Sequence, residues 1–208
     1  MGMLQLLQTT ALLAEQREYI DMAMLAAKRL TGLLSDILDM TKIEAGKLMI
    51  RNEEFTLKEL LDSIRDMFGQ ALKDNENSLS INYGENIPEQ LMGDSTRLAQ
   101  VLFNLVGNAC KYTQKGKIEV EAGLLPFNTE DTCRILFIVK DTGRGIAEER
   151  LDQVFESFSQ ADEEQRGPYS RDFEGSGLGL PLVKRLVNLM KGNACICSSK
   201  GEGTVVYV

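Results

Sequence analysis

The segment STRLAQVLFNLVGNACKYT, residues 95–113, predicts a helix with two different faces. One face carries apolar or small residues at helical spacing and is typical of a helix that packs on a core: Leu98, Val101, Leu102, Leu105 and Ala109. The other face carries Asn104, Asn108 and Lys111 at i, i+4 and i+7, with Tyr112 beside them. Two carboxamides, an ammonium group and a phenol on one side of a core helix indicate a site for a polar ligand.

The composition excludes several classes of function. The chain has 208 residues, 43% of them hydrophobic, which is enough for a core in one or two domains. The net charge of −8 argues against nucleic acid or an anionic membrane as a partner. The chain has no histidine, so Ser-His and Cys-His hydrolase chemistry is excluded.

The sequence carries no sign of a membrane span or a secretory signal. No apolar run approaches the roughly 18 residues of a membrane helix. The N-terminus lacks a basic region followed by an apolar core and a cleavage site. We therefore expect a cytoplasmic chain without direct membrane contact, which is compatible with a membrane-anchored parent protein.

The four cysteines, Cys110, Cys133, Cys195 and Cys197, do not form a metal-binding pattern. Cys195 and Cys197 are one residue apart on a predicted strand, and no second pair at ligand spacing completes a zinc site. We expect reduced cysteines in the core of a cytosolic protein.

Residues 3 to about 44 predict helix with a break near Thr9 and Thr10. Apolar or small residues form two adjacent stripes along the second helix: Tyr19, Met22, Ala26, Leu30, Leu33, Ile37 and Met40, and Ile20, Ala23, Ala27, Leu34 and Leu38. Two adjacent stripes are too wide for a two-stranded seam and are typical of a four-helix bundle. The other helices would come from a second copy or from sequence outside this chain. The alternative is a helical arm that packs on its own domain.

From Phe55 onwards, strands and helices alternate. Helices are predicted at residues 56–74, with Thr56 as N-cap and Glu59 three residues on, at 95–113, at 148–155 and at 177–190. Strands are predicted at 78–84, at 117–123, at 133–141 (continuously apolar, so buried on both faces) and as a closing pair over 193–208. The pattern predicts an α+β sandwich with helices on one face of the sheet. The domain boundaries we expect are 1–47 for a helical segment and 48–208 for the sandwich.

Three glycine-rich turns add to the polar helix face: DTGRGI (141–146), GSGLGL (175–180) and GEGT (201–204). None is a P-loop or a dinucleotide fingerprint. Asp141 follows a buried strand, where a carboxylate beside glycines can accept a hydrogen bond from an exocyclic amine. GSGLGL opens a helix whose N–H groups suit phosphates. The polar stretch 159–174 between them has the composition of a mobile lid.

In combination, these segments resemble the histidine protein kinases of two-component signalling, within the superfamily that includes gyrase-type ATPases. LLSDILDMTKIEAGKL resembles the second helix of the dimerisation domain, and DSTRLAQVLFNLVGNACKYT resembles the N box. DTGRGI, VFESFSQ, GSGLGL and GEGT resemble the first glycine box, the F box and the second and third glycine boxes. Five ordered motifs at family spacing cover nearly the whole chain. The resemblance implies a Bergerat-type, two-layer α/β sandwich preceded by a helical dimerisation segment.

The resemblance also implies ATP and Mg²⁺ as ligands and gives individual residues their roles. Asp141 would bind the adenine amino group, with Gly143, Gly145, Ile146 and Thr204 near the base. Asn108 would be the main Mg²⁺ ligand, with Asn104 at the metal or phosphates, Lys111 on phosphate and Tyr112 against the nucleotide. The phosphates would lie in the second glycine box, formed by Gly175, Ser176, Gly177, Leu178 and Gly179. Arg171 would be the lid arginine that reaches the γ-phosphate, although Asp172 and Glu174 make this lid less basic than is usual in the family.

One position separates a kinase from a hydrolase. The related ATPases carry a glutamate where this chain has Asn104, and an amide cannot act as the general base that activates water. The resemblance therefore implies transfer of the γ-phosphoryl group to a histidine, with Asn104, Lys111 and Arg171 as the catalytic residues, and relay to a response regulator.

The family's acceptor histidine lies in an H box just upstream of a segment like MLQLLQTT, so we expect this chain to lack it and to be unable to phosphorylate itself on histidine. The expected partners are a second copy, through the helical segment, and a receiver domain, and not nucleic acid. Two alternatives stay open: a nucleotide-binding pseudokinase or sensor module, and a superfamily ATPase or serine kinase.

Overall fold

The structure is a computed structural model, and it describes residues 2–10, 12–126, 132–156 and 177–208, without the side chains of residues 28 and 29. Contacts within the chain divide it into two compact units, Met1–Leu48 and Met49–Val208. Among the described residues, no helix is long and apolar enough to cross a membrane.

The first unit consists of helices α1 (Gly2–Gln8) and α2 (Ala14–Glu44). The predicted break is confirmed, because the hydroxyls of Thr9 and Thr10 donate to carbonyl oxygens of the preceding turn and end α1. The Leu13 N–H then donates to Gln16 Oε1, 3.0 Å away, at the start of α2. Much of the apolar surface of α2 is exposed in this single chain, including Tyr19, Met22, Leu30, Leu34, Ile37 and Leu38.

The second unit contains three α-helices and seven strands among its described residues. The helices are α3 (Leu57–Asp74), α4 (Ser95–Tyr112) and α5 (Gly179–Leu189). The strands are β1 (Glu53–Thr56), β2 (Ser78–Tyr83), β3 (Gln90–Gly93), β4 (Lys117–Leu124), β5 (Ile135–Asp141), β6 (Cys195–Ser199) and β7 (Gly203–Tyr207). A single 3₁₀ turn, Glu148–Arg150, stands where a short helix was predicted.

The larger sheet has five strands in the order β2-β4-β5-β7-β6. β2 and β4 are parallel, and the other neighbours are antiparallel. Helices α3 and α4 pack on the sheet, and α5 packs beside α4. The core between the two layers includes Ile64, Leu102, Ile118, Val120 and Leu182. The predicted α+β sandwich with helices on one face is confirmed.

Two local predictions were wrong, and one pair of strands was not predicted. Among the described residues, helices cover one face of β5, not both, so Phe137 and Val139 are buried while Leu136 and Ile138 are half-buried. The prediction of Thr56 as the N-cap of α3 is confirmed, although its side chain makes no cap hydrogen bond. Only Cys110 is a core cysteine, and Cys133, Cys195 and Cys197 are exposed. The antiparallel pair β1–β3, four residues in each strand, was not predicted.

Hydrogen bonds fix both ends of α4. At the N-terminus, Asp94 accepts from the backbone N–H of Arg97 and of Arg51, each at 3.0 Å. Beyond the C-terminus, Asn77 donates through Nδ2 to the Thr113 carbonyl oxygen at 2.8 Å, and its Oδ1 accepts from the Gly116 N–H at 3.0 Å. The residues that follow α4 are therefore tied to the start of β2.

We expect Asn77→Ala to lower the free energy of unfolding by about 1–3 kcal/mol, because the carbonyl of buried Thr113 and the N–H of half-buried Gly116 lose their partners. Urea denaturation measures the change. Asn82→Ala, at an exposed position of β2, is the matched control and should leave stability nearly unchanged. Equal losses of stability in the two variants would contradict the stabilising role assigned to the two Asn77 hydrogen bonds.

Candidate functional site

The polar face of α4 meets the start of α5. Asn104 and Asn108 are half-buried, and Asn104 Nδ2 donates to the Gln100 carbonyl oxygen at 2.9 Å, so its Oδ1 is the atom left to meet other groups. A Cβ at Gly179 would lie 2.9 Å from Asn104 Oδ1 and 3.9 Å from Asn108 Nδ2. A side chain at position 179 would therefore require the Asn104 carboxamide to shift, so glycine favours the close approach of α5 to this side chain.

Asp141 lies at the end of β5 among hydrogen-bond donors. Its Oδ1 accepts from the Gly143 N–H at 2.8 Å and lies 3.5 Å from the Thr113 hydroxyl, and the Thr204 N–H also donates to the carboxylate. Burial raises the pKa of the Asp141 carboxyl above its ordinary value, and the three hydrogen bonds act in the opposite direction. The site therefore holds a half-buried carboxylate whose direction is set mainly by main-chain groups.

The glycines of the first and third boxes permit close approach of backbone to backbone. Gly145 (φ 65°) and Gly203 (φ 96°) both have the left-handed conformation that disfavours other residues. A Cβ at Gly145 would overlap the Ser199 carbonyl oxygen, and one at Gly203 would overlap that of Asp141. These contacts bring the loop after β5 against the β6–β7 turn.

A hydroxyl that sequence reasoning missed joins the same two segments. Ser198 Oγ accepts from the Ile146 N–H at 2.8 Å, donates to the Gly203 carbonyl oxygen at 2.7 Å and lies 3.0 Å from Thr204 Oγ1. The available signal was its position in CICSS, because strand alternation places residue 198 with Ile196 on the helix-covered face.

Two cations lie against the ring of Tyr112, which is 38% exposed. The Lys111 ammonium is 4.7 Å from the ring centroid and the Arg144 guanidinium carbon is 4.5 Å from it. The backbone N–H of Arg144 also donates to the Tyr112 carbonyl oxygen at 3.3 Å. Sequence reasoning used Arg144 only as part of a glycine box, because its contact with the Tyr112 ring depends on the fold.

The structure therefore brings the predicted residues together in two groups, and α4 connects them. One group consists of Asn104, Asn108 and Gly179. The other group consists of Asp141, Gly143, Gly145, Ile146 and Thr204, with Tyr112 at its edge. A Cβ at Gly143 would overlap the Tyr112 carbonyl oxygen, which places the C-terminal end of α4 at the second group. Tyr112 follows Asn104 by eight positions, which is about 12 Å along the helix.

The second glycine box is described in part. Gly177 has a positive φ of 68°, Leu178 is the buried N-cap of α5, and Gly179 opens that helix. The predicted residues Arg171, Gly175 and Ser176 lie outside the described residues, as do the proposed lid and the end of VFESFSQ.

Two family models match the chain. Residues 93–208 match the histidine kinase-, DNA gyrase B- and HSP90-like ATPase family, and residues 1–46 match the His Kinase A (phospho-acceptor) domain. The chain is 34% identical over 206 residues to the sensory/regulatory protein RpfC of Xanthomonas campestris, covering 99% of this chain and 28% of RpfC. It is 34% identical over 208 residues to the autoinducer 2 sensor kinase/phosphatase LuxQ of Vibrio harveyi, covering 100% of this chain and 24% of LuxQ. The chain thus spans about a quarter of the length of these curated relatives.

Solved structures show the same fold. Full-length ShkA in complex with AMPPNP superposes with a TM-score of 0.79 at 28% identity, over 99% of this chain and 41% of that one. The histidine kinase ThkA in complex with the response regulator protein TrrA superposes with a TM-score of 0.62 at 20% identity, over 99% of this chain and 54% of that one.

We expect Gly203→Ala to destabilise the protein by clearly more than Gly201→Ala. Both glycines lie in the β6–β7 turn at positive φ (96° and 87°), so both substitutions cost roughly 1–2 kcal/mol of backbone strain. A Cβ at Gly201 meets nothing within 4 Å, whereas one at Gly203 overlaps the Asp141 backbone. Urea denaturation of the two variants measures the cost of this overlap as the difference between their losses of stability. Equal losses would show that the close approach of the Gly203 and Asp141 backbones does not contribute to stability.

Proposed function

The chain belongs to the histidine kinase-, DNA gyrase B- and HSP90-like ATPase family, and we propose that it is the ATP-binding catalytic part of a sensor histidine kinase, with part of the dimerisation domain. In this proposal it transfers the γ-phosphoryl group of ATP to a histidine outside the chain, for relay to an aspartate of a response regulator. The observation that carries the proposal is the half-buried Asp141 carboxylate, held by main-chain donors and connected by α4 to the pair Asn104 and Asn108.

The Asp141 group would bind the adenine. An ionised carboxylate only accepts hydrogen bonds, so the Asp141 oxygens suit the N–H groups of an exocyclic amine. Gly143, Gly145, Ile146 and Thr204 surround this end of the site.

The other end of α4 would hold the phosphates and the metal. Carboxamide oxygens are hard, neutral ligands that fit an Mg²⁺ ion which already carries phosphate oxygens. The Asn104 amide fits this role because its Nδ2 is bonded to Gln100 and its Oδ1 faces Gly179, and we propose Asn108 as the main ligand. A bound Mg²⁺ would neutralise charge that develops on the phosphates. Gly177, Leu178 and Gly179 would line the triphosphate at the start of α5. Lys111 lies beside Tyr112, towards the Asp141 end of α4, and its ammonium would contact phosphate from there.

Asn104 favours a kinase over a hydrolase. A carboxamide cannot take a proton from water, so ATP in this pocket would be hydrolysed slowly and remain available to another nucleophile. Catalysis would rest on positioning and charge neutralisation by Asn104 and Lys111, with Arg171 as the proposed lid arginine. Appreciable steady-state phosphate release that depends on Asn104 would instead favour the ATPase alternative.

The partners we propose are a second copy and a receiver domain. The exposed apolar residues of α2, such as Met22, Leu30 and Leu34, form a surface that a helical bundle with a second copy would bury. Because the 208 residues include no histidine, we propose that this chain cannot autophosphorylate on histidine and that the acceptor is supplied by other sequence. A pseudokinase would bind the nucleotide and transfer nothing.

We expect Asp141→Asn to weaken Mg-ATP binding by at least tenfold, or about 1.4 kcal/mol, because a specific contact to the base is lost. In the wild type, protonation of Asp141 also removes an acceptor. Since its pKa is raised, affinity should fall as the pH is lowered, beginning above the value near 3.9 of an ordinary aspartate. Isothermal calorimetry over a pH series measures both effects, with urea denaturation as a check on folding. An unchanged affinity in Asp141→Asn contradicts the proposed base contact.

We expect phosphoryl transfer in trans. With γ-labelled ATP, Mg²⁺ and a separately supplied phospho-acceptor hairpin of the parent protein, the P–O bond to ADP breaks and a P–N bond forms on the histidine. The label on the hairpin should be acid-labile, and it should be absent with Asn108→Ala or with a hairpin whose histidine is replaced by glutamine. Tight ATP binding without any label would favour the pseudokinase alternative.

A further inference from the structure

The three contacts of the Ser198 hydroxyl determine where its proton lies. A carbonyl oxygen can only accept, and Ser198 Oγ lies 2.7 Å from the Gly203 carbonyl oxygen. The Ile146 N–H can only donate, and it reaches Ser198 Oγ at 2.8 Å. Ser198 has one hydroxyl proton, so that proton is used on Gly203 and the oxygen accepts from Ile146.

The orientation of the Thr204 hydroxyl follows. Thr204 Oγ1 is 3.0 Å from Ser198 Oγ, and one of the two hydroxyls must donate to the other. Because the Ser198 proton is already used, Thr204 donates its proton to Ser198. The Thr204 oxygen then offers only lone pairs to any other group.

Thr204 and Asp141 lie next to each other on the same face of the sheet. They are directly opposite in the antiparallel pairing of β5 and β7, and the Thr204 N–H donates to the Asp141 carboxylate. When it is ionised, the Asp141 carboxylate accepts hydrogen bonds and has no proton to donate. Both side chains therefore present acceptors and no hydroxyl proton to a ligand at this end of the site.

We propose that Ser198 is a specificity-determining, positioning residue: by taking the Thr204 proton it makes this end of the site select a 6-aminopurine over a 6-oxopurine. The inference rests on the proposed ATP site and deepens it. An exocyclic amine supplies N–H donors to the two acceptors, whereas a ring carbonyl in its place meets lone pairs. Ser198 acts through Thr204 and need not touch the base.

The test compares binding of Mg-ATP and of Mg-ITP, which carries oxygen in place of the 6-amino group, by calorimetry. Ser198→Ala frees the Thr204 hydroxyl to rotate and to donate to the 6-oxygen. The ratio of the two dissociation constants should then shift towards ITP by about two- to tenfold, which is what one neutral hydrogen bond contributes. Ser198→Thr keeps the hydroxyl and should restore the wild-type ratio. Ser199→Ala, at the next, exposed position of β6, is the matched control.

The possible outcomes separate this inference from the proposed function. If Ser198→Ala weakens the binding of ATP and of ITP equally, Ser198 has only a structural role and the inference is overturned. An unchanged ratio of the two dissociation constants overturns it as well. Thr204→Val is a second test, because it removes the acceptor without changing Ser198. It should shift the ratio in the same direction, and an unchanged ratio there overturns the inference even if Ser198→Ala does not fold. A wild type that binds no Mg-ATP would instead reject the proposed function.

Discussion

The close approach of the Gly203 and Asp141 backbones is the constraint on which the rest of the site depends. Any Cβ at Gly203 would overlap the Asp141 carbonyl oxygen, and its φ of 96° disfavours other residues as well. With glycine there, β7 pairs with β5 so that Thr204 lies opposite Asp141 and its N–H reaches the carboxylate. Gly143 donates a second N–H. Because both donors belong to the main chain, the register of the sheet fixes the carboxylate and no neighbouring rotamer can release it.

Helix α4 connects the Asp141 group to the other half of the site. Its apolar face is buried in the core, with Leu102 and Val101 fully covered, so the helix cannot rotate without exposing that face. Its polar face is therefore held at a fixed angle, with Asn104 against Gly179 at one end and Tyr112 at the other. The same burial that stabilises the fold thus sets the distance between a base site and a phosphate site. This explains why the helix carries two faces of such different chemistry.

The sequence predicted the parts of this protein whose signal is local and periodic. The helical period of α4 and the alternation of β4 each identify their own element and its buried face. The pair β1–β3 was missed because four-residue strands have too short a period and are stabilised by pairing across 34 or more residues of chain. The one-sided burial of β5 was missed because an unbroken apolar run does not reveal whether one face or both are covered, and Ile138 is only half-buried. Ser198 and Arg144 were missed because their roles depend on partners that only the fold brings near.

Burial of Asp141 couples binding to stability. Because its folded-state pKa is raised, burial favours the protonated form, and the stability gained below the unfolded-state pKa is lost as the pH rises through the folded-state value. At neutral pH the carboxylate is therefore ionised at a cost, which the Gly143 and Thr204 N–H groups and the Thr113 hydroxyl offset in part. A ligand that donates N–H groups to the remaining lone pairs supplies what water supplied before burial. Such a ligand binds the ionised, folded protein and not the unfolded chain, so it stabilises the fold in proportion to the logarithm of its concentration. For this reason the protein is less stable with the site empty than with the site filled.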